Sequence, residues 1–374
     1  MKAVLLDEKL KYALETLRII TSDEEKFALI NYIACLNEAI AQVEKKEKQL
    51  GLVNQKNIHL YNKKSREYNK LFRKKFVFYK SFHELYIGDI LEMTERDCKQ
   101  MKLIHSSIEE RTFSRKDFFD VLFLYLKEIN QEKLFKRLYR KNCIYPVTDK
   151  DESGYTLYNP LTKDIDLFIS GFRYDVYHMQ VLLHELGHAY DLAHFKGTAK
   201  NFNEFFYLSS YTELYSLLLE RNFLHFLLKN NIKETEAKYQ LIRYESISRT
   251  ILLGCYAMSV LKEETLLKED APNFIKEIPI EEVTPYFKNK KDIKKVIHTL
   301  QELSLSEIYN YTYGDILSLF FCEEMEKSGL SNELINAFLN RKRPLFSEEF
   351  FYENDFTAEK YAKIYKKEIQ LVKK

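Results

Sequence analysis

Tryptophan is absent, and glycine occurs only nine times and proline six times in 374 residues. So few breakers exclude an architecture of short strands and tight turns, and long helices are the expectation. Cysteine is scarce as well. Cys35, Cys98, Cys143, Cys255 and Cys322 are odd in number, widely scattered and free of CxxC spacing. That pattern excludes a disulfide scaffold and reads as reduced thiols, so a cytoplasmic location is expected. The opening residues MKAVLLDEKLKYALE bring charges directly after Leu6, so no secretory apolar core is read there. No run of about 18 uncharged apolar residues occurs, so no membrane span is expected. A surplus of one charge is missing too. Lys and Arg total 58 against 56 Asp and Glu, a balance that argues against wholesale nucleic-acid binding.

What is present is apolar and aromatic mass. Apolar residues make up 45% of the chain, and Tyr and Phe contribute 27 each, enough to exclude a wholly disordered or fibrous protein. Ser22 and Glu25 form a capping-box pair ahead of Leu29, Ile33, Leu36, Ile40 and Val43 at helical spacing. Ser114 and Asp117 do the same ahead of Phe118, Val121, Leu122, Tyr125 and Leu126. Between them a basic stretch from Lys63 to Lys75, interleaved with Tyr68 and Phe72, reads as a solvated helix face or a grip for an anionic partner. Pro146, Gly154, Pro160 and Gly171 then break the helical texture, and DIDLFIS over 164–170 alternates as a strand does. After about Asp175 the pattern is helical again, apart from a polar stretch with Pro272, Pro279 and Pro285. The expected division is a helical N-terminal portion over 1–140 and a catalytic portion over 141–374.

The chemistry sits in VLLHELGHAYDLAH, residues 181–194. His184, Glu185 and His188 form HExxH. Residues four apart share a helix face, so both imidazoles can reach one metal ion, and Glu185 lies beside it, placed to take a proton from a polarised water. The flanking Val181, Leu182, Leu183, Leu186 and Ala189 predict a largely buried helix, and buried histidines need partners.

A tetrahedral zinc needs a third protein ligand, and two residues qualify. Glu213 lies in the next helical segment, although Ser210 and Glu213 also make a capping box. His194 completes the HExxHxxGxxH spacing of metzincins, with Asp191 in place of the glycine that turns the chain. Asp191 itself reads as a residue that orients a ligand or as an exposed carboxylate. Spacing favours Glu213. Two other histidines, His178 and His225, read as a helix-start residue and as part of the apolar FLHFLL face.

The segment DVYHMQVLLHELGHAYD resembles the aspartate-led active-site helix of the M3 family of zinc oligopeptidases (thimet oligopeptidase and oligoendopeptidase F). GYTLYNPLTKDIDLFIS is similar to the segment that supplies that family's edge strand, and EIYNYTYGDILSLFF resembles its tyrosine-rich stretch. The likeness covers roughly residues 150–325, and the chain is shorter than typical members. It implies a mainly α, zincin-type (gluzincin) helical peptidase with a small antiparallel β element beside the active-site helix. It implies one Zn²⁺ per chain on His184, His188 and Glu213, and Tyr313 and Tyr309 as donors to the developing oxyanion. The family has His at the position of Asp191.

Together these readings predict hydrolysis of short oligopeptides by a zinc-activated water with Glu185 as general base. Substrate backbone would add as a strand along 164–170. Two other functions fit the same residues: a dedicated protease of one regulatory or partner protein, with His194 in a metzincin-like ligand set, and a non-catalytic zinc-stabilised helical binding module.

Overall fold

The structure, a computed structural model, describes residues 2–21, 26, 29–30, 32–33, 112–141, 143–147, 154–158, 164–195, 212–244, 305–328 and 354–373. The Lys63–Lys75 stretch, the Ser22–Glu25 box, Cys35, Cys98, Cys255 and the stretch from Pro272 to Pro285 lie outside them. Two compact units divide the chain: Met1–Arg66 with Arg111–Ser209, and Glu67–Glu110 with Ser210–Lys374. The described residues are mainly helical with one small sheet, the expected fold class. No described helix is long and apolar enough to cross a membrane.

In the first unit, helix α1 (Lys2–Ile19) is followed by α2 (Arg115–Glu128) and α3 (Glu132–Arg140). Helix α2 starts as its sequence predicts, with the Ser114 hydroxyl accepting from the Asp117 backbone N–H. Its buried stripe is Phe118, Leu122, Tyr125 and Leu126. Phe118 meets Phe172 and Tyr174 edge-on, at 5.6 Å and 5.5 Å between ring centroids, and so braces the turn that follows the last strand.

Three strands follow: β1 (Ile144–Val147), β2 (Gly154–Tyr158) and β3 (Ile165–Ser170). Their order is β1-β3-β2, with β1 parallel and β2 antiparallel to β3. The expected small antiparallel β element is the β2–β3 pair, and β1 adds a parallel strand on the other side of β3. The sheet is mixed, and Pro146 is tolerated because β1 is an edge strand. Strand β3 is central, so both its edges are taken and it cannot accept a substrate strand.

The sheet is covered on both faces, which explains why all six residues of β3 are buried despite the polar Asp166 and Ser170. Tyr145, Phe168 and Tyr155 stand in one row across the three strands, stacked at 4.8 Å and 4.9 Å. They share a core with Leu157 and with Ala13 and Leu17 of α1. Asp166 lies on the same face and is held by Lys9 of α1 at 2.5 Å. Burial still pushes the Asp166 carboxyl up, and Lys9 only partly offsets it. The opposite face carries Gly154 and Thr156 on β2, since residues two apart share a face. Helix α4 (Val176–Phe195) packs there.

In the second unit, α5 (Thr212–Lys229), α6 (residues 234–244), α7 (Leu305–Ser328) and α8 (Ala358–Lys373) form a bundle. At Gly314 helices α7 and α5 approach closely. A side chain there would meet the backbone of Glu213 and Leu214 at 2.9 Å. The bundle encloses a charged centre. Arg221 is fully buried, with one guanidinium nitrogen 2.6 Å from Asp315 and another on Glu368. Tyr244 lies under the guanidinium at 5.0 Å, and Tyr361 donates to Asp315. His225 reaches Glu368 through Nε2 at 3.2 Å and lies 3.6 Å from the Cys322 sulfur through Nδ1. The charge centre, rather than the apolar face predicted from its neighbours, is what His225 serves.

Candidate metal centre

Helix α4 is largely buried, as the sequence predicts, polar residues included. Met179, Leu182, Leu183, Leu186 and Ala189 are buried. Its start is set by Asp175, whose Oδ1 accepts from both the backbone N–H and the ring Nδ1 of His178, each at 2.8 Å. Burial raises the Asp175 carboxyl. The bonds from His178 and the nearby Arg173 outweigh that, holding it below the usual carboxylate range. His178 is fully buried and belongs to this cap, as expected of a helix-start residue. Gly171 lets the chain turn from β3 towards α4 by adopting a φ of 61°, open to glycine at little cost.

One turn apart on α4, His184 and His188 bring their Nε2 atoms to 3.0 Å, with the rings at 83°. Two nitrogens bonded to one tetrahedral zinc at ordinary lengths stand roughly 3.3 Å apart, so the pair fits an ion. The donor chemistry fits as well, since two neutral imidazoles are borderline-soft ligands suited to zinc. Both rings are half-buried on a helix whose other faces are closed.

Glu185 projects towards the sheet and is buried, at 3% exposure. Its Oε2 lies 2.7 Å from the Thr156 hydroxyl, and the same hydroxyl lies 2.8 Å from the Glu185 backbone carbonyl. Gly154 lies beside it. A Cβ at that position would stand 2.8 Å from both Glu185 Cγ and Oε1 and 2.9 Å from Val181 Cγ1. Sequence reading missed Thr156 and Gly154. Their only signal was a Gly-x-Thr spacing that places both on one strand face.

Helix α4 continues unbroken through Asp191 and His194. The chain therefore does not make the turn after His188 that a metzincin-like set requires. Six residues beyond His188 on a straight helix, His194 is rotated by roughly 240° and raised by about 9 Å, so it does not share the His184–His188 face. Asp191 is buried at 1% exposure, which corrects the reading of an exposed carboxylate. Glu213 sits in the first turn of α5, half-buried, in the second unit. The preceding Ser210 is outside the described residues. Tyr309 and Tyr313 lie in α7, and their side chains are likewise outside the described residues.

No protein-family model and no curated protein matches the chain. Among solved structures it is similar to an oligoendopeptidase F from Bacillus anthracis str. Ames, with a TM-score of 0.47 and 15% identity over 93% of this chain and 63% of that one. It is also similar to PZ peptidase A with an inhibitor, with a TM-score of 0.44 and 17% identity over 84% of this chain and 58% of that one. The chain spans less than two thirds of the length of either.

Proposed function

We propose that this protein is a zinc-dependent peptidase of the M3 type that hydrolyses short oligopeptides. His184, His188 and Glu213 are the proposed ligands of one zinc ion, Glu185 the general base, and Tyr313 with Tyr309 the oxyanion donors. The observation that carries the reading is the His184–His188 pair, its Nε2 atoms 3.0 Å apart with a buried carboxylate one residue along. Glu213 is an acidic residue in the first turn of α5, and a carboxylate is a fitting third donor beside two imidazoles. The uninterrupted helix through His194 favours Glu213 as the third ligand.

When bound, zinc polarises the scissile carbonyl and makes a water acidic enough to attack at neutral pH. The rest is the work of the chain. The Glu185 carboxylate takes the proton from the attacking water and later gives it to the leaving amine. Thr156 has one hydroxyl proton and two acceptors on Glu185. While Glu185 is ionised, the hydroxyl serves one acceptor at a time. With the proton on Oε2, that O–H donates to Thr156 Oγ1 and the hydroxyl donates to the carbonyl, so both contacts are satisfied together. A tyrosine hydroxyl from α7 then donates to the oxyanion, where a fixed donor acts mainly on the transition state.

Strand addition moves from β3 to β2, which is terminal in the sheet and lies against α4. Recognition of this kind reads main chain more than side chains, so broad specificity is expected. Digestion of an unbiased peptide library tests it. Cleavage of many unrelated short peptides supports an oligopeptidase, whereas cleavage of a few sequences alone points to a protease dedicated to one partner.

A further inference from the structure

We infer that Thr156 and Gly154 of β2 form a mould that positions the Glu185 carboxylate, with Thr156 acting as a positioning residue for the general base. The inference rests on the peptidase reading for its catalytic consequence, but its geometry stands without it.

Residues 154 and 156 occupy one face of a strand, and α4 lies on that face. At position 156 the side chain reaches Glu185 twice, at the carboxylate and at the backbone carbonyl. The second contact matters as much as the first. A hydroxyl that touches only the carboxylate could follow it through several rotamers. One whose oxygen also sits 2.8 Å from the helix carbonyl can pass its single proton between the two acceptors without moving, and so fixes where that carboxylate can lie. At position 154 the absence of a side chain is what counts. Any Cβ would occupy the space that Glu185 Cγ and Oε1 fill, at 2.8 Å. Even the smallest substitution must push the carboxylate out of place or lift the strand from the helix. The φ of Gly154 is not in the left-handed region, so the need for glycine here is steric room for Glu185 rather than backbone freedom.

A buried general base without a fixed partner samples several rotamers, and displacement of a reacting group by about 1 Å can cost 100-fold in rate. The Thr156 side chain is directed at Glu185 on α4, whereas a strand added to β2 would meet its main chain, so the effect of changing that side chain passes through Glu185.

The test compares wild type with Thr156→Val, Thr156→Ala, Thr156→Ser and Glu185→Gln. Zinc content, thermal midpoint, and kcat and KM on a quenched fluorescent peptide are measured for each. The side-chain carboxyl ¹³C resonance of Glu185 is read in the metal-free proteins. Thr156→Val is expected to retain zinc, to hold KM within about twofold and to lower kcat by about 10- to 100-fold. It should also move the Glu185 resonance. Thr156→Ser keeps the hydroxyl and should restore both kcat and the resonance. If the valine variant fails to fold, Thr156→Ala carries the same expectation without the added methyl.

A wild-type kcat in Thr156→Val or Thr156→Ala overturns the inference while Glu185→Gln is inactive and the peptidase reading stands. Equal loss in the serine and valine variants also overturns it. An inactive wild type that binds zinc overturns the peptidase reading, whereas an unmoved Glu185 resonance in Thr156→Val overturns the mould itself.

Discussion

His184 and His188 face each other across one turn of α4, with their Nε2 atoms 3.0 Å apart and their rings nearly perpendicular. The Glu185 carboxylate, next to His184 in sequence, lies 2.7 Å from the Thr156 hydroxyl on β2. In the proposed mechanism metal binding and proton transfer rest on different side chains, and each can be removed alone.

Glu185→Gln should keep a full complement of zinc while lowering turnover of a quenched fluorescent peptide by several orders of magnitude. The amide preserves size and cannot take a proton from water. Metal analysis beside initial rates checks both halves. Cleavage at the wild-type rate would remove Glu185 from the mechanism.

The third ligand is tested by two substitutions. Glu213→Ala should lose most bound zinc on dialysis, because a tetrahedral site with two protein ligands is weak. His194→Ala should retain it, since the helix carries residue 194 off the His184–His188 face. Zinc loss in the second variant alone would restore the metzincin-like set.

The second unit makes its own prediction. Arg221→Met leaves Asp315 and Glu368 buried without their shared cation. Removing one partner of a buried ion pair costs about 3–5 kcal/mol. Urea unfolding should show the midpoint falling accordingly. A change within about 0.5 kcal/mol, the range of an ordinary surface substitution, would mean that the guanidinium does not hold these helices together.

Acid should loosen the same centre. Burial pushes the Glu368 carboxyl up, but the charges and hydrogen bonds of Arg221 and His225 more than reverse it, so it lies below its ordinary value. A carboxyl lowered on folding contributes stability above its unfolded value of about 4.5 and loses that contribution as pH falls through the folded value. Thermal midpoints of wild type and Glu368→Gln should therefore differ at pH 7 and converge as pH falls below that range. A gap that stays constant down to pH 3 would contradict the assignment.

Much of this was legible in the sequence, but unevenly. The HExxH helix and the Ser114 cap declare themselves because their signals are local: apolar spacing in one case, a hydroxyl three residues from its N–H in the other. Strands β1 and β2 did not. They are four and five residues long and one holds a proline, and their pairing is decided by β3. Asp166 looked like the polar half of an alternating strand. It is buried because both faces of the sheet are covered, and Lys9, 157 residues earlier, supplies its partner. Thr156 escaped notice for the same reason, since its partner lies 29 residues away on another element. Arg221 carried no pattern at all, because its two carboxylates come from α7 and α8.

The most direct measurement is zinc content taken beside peptide turnover on the same purified sample, before and after a chelator and again after zinc is restored. About one zinc per chain is expected, with hydrolysis that disappears with the metal and recovers when it returns. Zinc present at that ratio with no hydrolysis of any short peptide would contradict it and leave a structural metal in a binding module.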